Sequence, residues 1–176
     1  MIPQAIYEKL LHPFRPWLLA QDFAAIDPWI EVRADGLPEI CRVLRDDPDL
    51  AFDMLNCITA VDYFEPDEKK AAAAEWQPHL ELQYHLTSTV HRHRIVLKSR
   101  LARWQNNEIG QLPEAPSVSS VWSTAEWHER EVFDLMGVLF VGHRDLRRIL
   151  CPEDWAGHPL RKDYQMPVEY HGIQAR

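Results

Sequence analysis

The sequence is short of most things that chemistry within a single chain requires. It has three cysteines, Cys41, Cys57 and Cys151, an odd number with no CxxC pair. A disulfide framework is therefore not expected, and a reducing compartment fits best. Iron–sulfur clusters are normally held by four cysteines, which this chain alone does not supply. The six glycines are scattered, so no phosphate loop or dinucleotide fingerprint forms. No run approaches the ~18 apolar residues of a membrane span. The longest candidate, 133–141, is interrupted by Asp134 and Gly137. Positive charge is also outnumbered: 19 Lys/Arg stand against 27 Asp/Glu, a formal net charge of −8. A protein that grips phosphates needs a basic face, so general nucleic-acid binding is disfavoured. The N-terminus lacks the basic start and apolar run of a secretory signal, and the Arg/Ser-rich pattern of a transit peptide.

What is present describes one folded domain with an extension. The chain has 176 residues, 46% of them hydrophobic, enough for a real core. Thirteen prolines against six glycines point to stiff, extended connections. Residues 6–19 have helical spacing cut by Pro13 and Pro16, a short broken helical arm. Trp29 to Arg33 alternates like a strand, and Asp35-Gly36 turns the chain. Leu37, Ile40, Cys41, Val43 and Leu44 then mark an amphipathic helix that ends before Pro48. Residues 52–64 read as a long strand and 65–78 as a charged connector with room for a helical turn. The clearest β signal follows. Leu80, Leu82, Tyr84 and Leu86 alternate with polar residues, as do His93, Ile95 and Leu97, giving a hairpin with one buried face. A polar loop covers 101–117. Ser123-Thr124-Ala125-Glu126 starts a helix, with a Ser or Thr cap and an early Glu, and Gly137 suits its C-terminal cap. From Gly142 onward prolines recur at 152, 159 and 167 without sustained periodicity.

The helix 127–137 is dense in both charge and large apolar residues. Arg130 has Glu126 and Asp134 four residues to either side. Exposed pairs of that kind contribute only ~0.3–0.5 kcal/mol each, too little to explain such concentration on a solvated face. Two readings stay open: a solvated amphipathic helix, or a helix wedged between its sheet and a partner. His128-Glu129 begins like a zinc-protease helix, but position 132 is Val where the second His belongs. His91 and His93 share a strand face and read as polar residues of a hairpin end. Glu129, Glu131 or Asp134 could form an acid–base pair, yet no nucleophile–base arrangement accompanies them.

The tail is the most informative part. It carries Leu146, Ile149, Leu150, Trp155, Leu160 and Tyr164, with cations clustered as Arg144/Arg147/Arg148 and Arg161/Lys162. Residues 143–176 hold six Lys/Arg against five Asp/Glu, whereas the rest holds thirteen against twenty-two. Burying such apolar groups is worth ~1.5–3 kcal/mol each, and the tail cannot build a core of its own. It must pack on the body or on another protein, and mixed Arg and Trp content is typical of interface anchors.

Three blocks match a known family. Glu129-Arg130-Glu131-Val132-Phe133-Asp134-Leu135-Met136-Gly137-Val138 resembles the signature helix of the hydrophilic C subunit of respiratory complex I, NADH:quinone oxidoreductase. Gly142-His143-x-Asp145-Leu146-Arg147-Arg148-Ile149-Leu150 resembles its next block, and Gly157-His158-Pro159-Leu160-Arg161-Lys162-Asp163-Tyr164 its third. Weaker similarity extends through Phe52 to Leu55, Val61-Asp62-Tyr63 and Tyr84-His85-Leu86, so the resemblance covers roughly 30–167. Arg144 stands where the family usually has proline, which frees the backbone there and adds a cation.

The resemblance implies an α+β fold, a mostly antiparallel sheet with flanking helices and a long extended C-terminal tail. Its expected layout is an arm at 1–29, a domain at 30–141 with the signature helix near 124–136, and a partner-binding tail at 142–176. It implies a non-catalytic scaffold subunit of the peripheral arm, supporting the quinone-reducing module of an ion-translocating electron-transfer complex. No cofactor is expected in this chain; FMN, iron–sulfur clusters and quinone belong to partner subunits. The expected partners are the large quinone-module subunit and other peripheral-arm subunits, with membrane contact only through the complex and no nucleic acid. Location is expected on the cytoplasmic side of a bacterial inner membrane, as a peripheral protein. Glu129, Arg130, Glu131 and Asp134 are expected to form an ion-pair network orienting the helix. Arg147, Arg148, Arg161 and Lys162 are expected to pair with carboxylates, mostly across an interface, with Trp155 and Leu160 as apolar anchors. The alternatives are the equivalent subunit of a membrane-bound hydrogenase or ferredoxin-driven complex, and an independent adaptor or enzyme.

Overall fold

The computed structural model describes residues 2–174, so the first residue and the last two of the tail lie outside it. The chain opens with helix α1 (Pro3–Phe14), a 3-10 turn over Arg15–Trp17, and strands β1 (Leu18–Asp22) and β2 (Trp29–Val32). Helix α2 (Leu37–Asp46) leads to β3 (Met54–Tyr63), and a four-residue helix α3 (Glu68–Ala71) lies in the charged connector. The hairpin is β4 (His79–Ser88) and β5 (His93–Leu101). After β6 (Glu114–Pro116) come α4 (Ala125–Met136), β7 (Leu139–Val141) and a short terminal pair, β8 (Glu169–Tyr170) and β9 (Ile173–Gln174).

The fold is α+β with a mostly antiparallel five-stranded sheet, as the sequence implies. Its order is β1-β2-β5-β4-β3, and only β2 and β5 run parallel. Directly opposite residues on neighbouring antiparallel strands share a face. In the hairpin, Leu80 faces Leu101, Tyr84 faces Leu97 and Leu86 faces Ile95. That apolar face joins one core with Ile6 and Leu10 of α1, Leu37, Ile40 and Leu44 of α2, and Val132 and Met136 of α4. On the other face, Lys98 pairs with Glu81 at 3.1 Å and Arg100 with Glu31 at 3.1 Å.

The N-terminal stretch does not stand apart as an arm. Ile6 and Leu10 are fully buried, and β1 extends the sheet at one edge. An isolated twelve-residue helix is marginal in water, so α1 gains its stability by burying its apolar stripe. Pro13 sits within its last turn and Pro16 in the following 3-10 turn, which is where the helix gives way to strand. The polar loop after β5 holds a surprise: β6 pairs parallel with β7 across the signature helix, a non-local bridge with no period to announce it.

Candidate functional site

Thr124 stands at the N-terminal cap position of helix α4, but its side chain makes no capping bond. Its end follows the expectation: Gly137 takes the left-handed conformation at φ 68°, and its N–H donates to the carbonyls of Val132 and Phe133. Three charged residues of this helix are buried, namely Glu129, Arg130 and Asp134. Glu131 points to solvent.

Asp134 is completely buried and is the hub of the tail. Its Oδ2 accepts the amides of Ile149, Leu150 and Cys151 at 2.9, 2.7 and 2.9 Å. Its Oδ1 accepts from the Arg148 guanidinium at 2.7 Å. Burial alone would raise this carboxyl, but the three amides and Arg148 outweigh it and hold it at about 2. Arg148 also donates to the carbonyls of Trp155 at 3.0 Å and Gly157 at 2.8 Å.

The last four carbonyls of an α-helix have no partner within it. Here the Phe133 carbonyl accepts the Gly137 amide, and the tail supplies donors to those of Asp134, Leu135 and Met136 and to that of the Gly137 cap. The Asp134 carbonyl accepts from Arg148 at 2.9 Å and pairs with His158 Nδ1 at 3.0 Å. The Leu135 carbonyl accepts the Leu160 amide at 3.0 Å. The Met136 and Gly137 carbonyls accept from Arg161 at 2.6 and 3.1 Å. Two guanidinium groups thus sit at the negative end of the helix dipole. Arg161 is 4% exposed, and its third donor goes to the Arg103 carbonyl at 2.8 Å. Desolvation lowers its pKa to about 10. Arg161 thus uses carbonyls where the sequence reading expected carboxylates, because the helix end offers acceptors that nothing else reaches.

A second clasp lies at the far end of β3. Arg103 grips Asp62 in a fork, at 2.7 and 2.9 Å, and reaches Asp163 at 2.8 Å. Asp62 also accepts the Lys162 amide at 3.0 Å. Sequence reasoning missed this clasp. A signal existed in part: Asp62 falls on the inward phase of β3 with Ile58 and Ala60, where an acid needs a partner. Nothing local marked Arg103 as that partner.

The other expected site residues are placed as follows. Arg130 pairs with Asp145 rather than with its helix neighbours, and its ring neighbour is the exposed Trp127. Arg147 is largely exposed and pairs with the same Asp145 at 3.1 Å. Arg144 pairs with Glu126. Lys162 is exposed. Trp155 is half-buried against Tyr170, with ring centroids 4.9 Å apart. Leu160 remains 59% exposed and Leu150 61%. Among the described residues, no group of three or more His, Cys, Asp or Glu is placed to hold a metal ion. His91 and His93 instead reach the carbonyls of Pro48 and Leu50.

This arrangement is a tail stitched to a signature helix, and comparison with known proteins gives it a family. Residues 30–170 match the family described as respiratory-chain NADH dehydrogenase, 30-kDa subunit. The chain belongs to this family. It is 42% identical over 172 residues to the C subunit of NADH-quinone oxidoreductase from Chlorobium phaeobacteroides, covering 97% of this chain and 93% of that protein. It is 38% identical over 148 residues to the corresponding protein of Salinispora tropica, covering 82% of this chain and 54% of that protein. The chain therefore spans nearly all of the first relative and about half of the second. Among solved structures, it resembles a chain of the membrane-bound sulfane sulfur reductase, an archaeal respiratory membrane complex. That match has a TM-score of 0.68 at 25% identity, covering 93% of this chain and 85% of the other. Among the described residues, no helix is long and apolar enough to cross a membrane.

Proposed function

We propose that this chain is a scaffold subunit in the peripheral arm of an NADH:quinone oxidoreductase. Its tail, 142–176, docks on the large subunit of the quinone-reducing module. The carrying observation is a contrast within the tail. Arg148, Arg161 and the Lys162 amide are spent inward, on Asp134, the carbonyls of α4 and Asp62. Its apolar tips are not: Leu150, Leu160, Met166, Val168 and Ile173 all stay largely exposed. Apolar side chains left uncovered on a tail that is already anchored to the domain mark a surface awaiting a partner. The half-buried Trp155 and the exposed Arg147, Lys162 and Glu131 complete the contact. Flavin, iron–sulfur clusters and quinone reside in partner subunits, and the chain meets the membrane only through the complex. The site is the cytoplasmic side of a bacterial inner membrane. Identity to NADH-quinone oxidoreductase chains is higher than to the sulfur-reductase chain, which favours this machine over its relatives.

The test is gentle purification from the native host on a C-terminal tag, with mass spectrometry of what accompanies the chain. The expected result is the large quinone-module subunit together with flavin and cluster subunits. Hydrogenase-type partners would move the chain to a related machine. A lone protein, repeated with the tail left untagged, would overturn the scaffold reading.

A further inference from the structure

The two fully buried carboxylates of α4 have opposite surroundings. Asp134 has Arg148 and three amides. Among the described residues, Glu129 has no cation paired with it. Its Oε1 accepts the Val118 amide at 2.7 Å and its Oε2 the Ser117 hydroxyl at 2.6 Å. The titratable groups acting on or felt from Glu129 are all acidic: the Cys41 thiol of α2, the Tyr84 hydroxyl of β4, and Glu126 on its own helix. Neighbouring charges are engaged elsewhere. Arg130 is turned to Asp145, and Arg45 of α2 ends on the Val121 carbonyl at 2.5 Å. On β3, Asp62 is held by Arg103, and Cys57 feels Glu131. The Tyr84 hydroxyl is itself buried without a hydrogen-bond partner among the described residues. Burial without countercharge disfavours the ionised form, and the Glu129 carboxyl is pushed up to about 7.

There is also a route for the proton. Ser117 Oγ lies 2.8 Å from Ser119 Oγ, and either can be the donor. Ser119 is half-buried and Ser120 is exposed. With Glu129 ionised, Ser117 donates to the carboxylate and Ser119 donates to Ser117. With Glu129 neutral, its O–H donates to Ser117, which donates to Ser119. Passing from the neutral to the ionised state reverses both bonds. One proton leaves the carboxyl for Ser117, Ser117 passes its own to Ser119, and Ser119 releases one to water. Both hydroxyls end unchanged, and only the carboxyl has lost a proton.

We propose that Glu129 and the Ser117–Ser119 hydroxyl pair form a proton-binding site that loads and unloads through those hydroxyls, and that its proton sets how firmly α4 holds the 117–119 segment. A carboxyl that binds its proton more tightly when folded favours folding most at low pH. Its contribution falls as pH rises from the unfolded value near 4.5 to the folded value near 7, and is level above that. The change in the folding equilibrium is on the order of a hundredfold. Glu129→Gln mimics the proton-bearing form, with an N–H₂ to donate to Ser117 and a carbonyl to accept from Val118.

The experiment compares the full chain and E129Q by infrared spectroscopy and urea titration across this range. The wild type should show a protonated-carboxyl band that disappears with a midpoint near 7. E129Q should lack the band, lack the hundredfold decline, and exceed the wild type in stability at the alkaline end. A merely structural Glu129 would make E129Q weaker by the same factor at every pH. Should E129Q not fold, the wild-type band decides, together with Ser117→Ala. Removing that hydroxyl donor from the carboxylate should move the midpoint upward. No band titrating in this range, or equal pH slopes in both proteins, would overturn the proposal.

Discussion

Replacing Asp134 with asparagine removes a charge and almost no volume, so its effect isolates the clasp of α4 on the tail. The carboxyl lies at about 2 against an ordinary 3.8. That difference is worth about 2.5 kcal/mol at neutral pH, at about 1.4 kcal/mol per pKa unit. Asparagine also turns an N–H₂ toward donors. Either the three amides of 149–151 or the Arg148 guanidinium then faces another donor. Breaking a buried pair from one side costs about 3–5 kcal/mol, but Arg148 keeps three carbonyls, so a loss of about 2–4 kcal/mol is expected. The assay is urea unfolding with limited proteolysis of the tail in parallel. D134N should lower the midpoint and open the chain to cleavage after residue 148, without changing the sheet signal. The pH dependence follows from the lowered carboxyl. Between about 2 and 3.8 the unfolded chain binds more protons, so wild-type stability rises with pH across that window and is complete above it. The gap between wild type and D134N should therefore narrow as pH falls toward 2. A change within about 0.5 kcal/mol at neutral pH, with the tail still protected, would refute the assignment of Asp134 as the hub.

Charge reversal separates the two neighbouring arginines: R148E should destabilise the free chain by several kcal/mol. R147E, at a largely exposed side chain, should leave the free chain folded while impairing assembly, read by melting temperature and by co-purification. Gly137→Ala should cost at least about 1–2 kcal/mol in a thermal unfolding assay, from the left-handed backbone alone. Its Cβ would also fall onto the His158 ring, so the His158 contact to the Asp134 carbonyl should be lost from hydrogen-exchange or NMR data. Arg103→Ala should cost about 3–5 kcal/mol by leaving Asp62 buried and unpaired; tail mobility around 160–164, read by NMR relaxation, should rise with it.

What the sequence determined was what depends on near neighbours in the chain. The alternation 80–97 dictated the hairpin, because a strand exposes its sides with period two. The spacing from Leu37 to Leu44 dictated α2, and the apolar–charged run closed by Gly137 dictated α4, because capping is a local matter. The three blocks at 129–164 were enough for the family. The tertiary structure decided the rest. No pattern in the sequence told that β6 would pair with β7, or that residues 3–22 would join the core and the sheet edge. None told that Arg161 would take carbonyls rather than carboxylates, or that Arg103 would meet Asp62 from 41 positions away. Glu129 and Asp134 look alike in the sequence, two acids on one helix. Only the folded chain gives one a cation and three amides and the other a desolvated pocket. A carboxyl's charge is set by what surrounds it in space, and those neighbours come from distant parts of the chain.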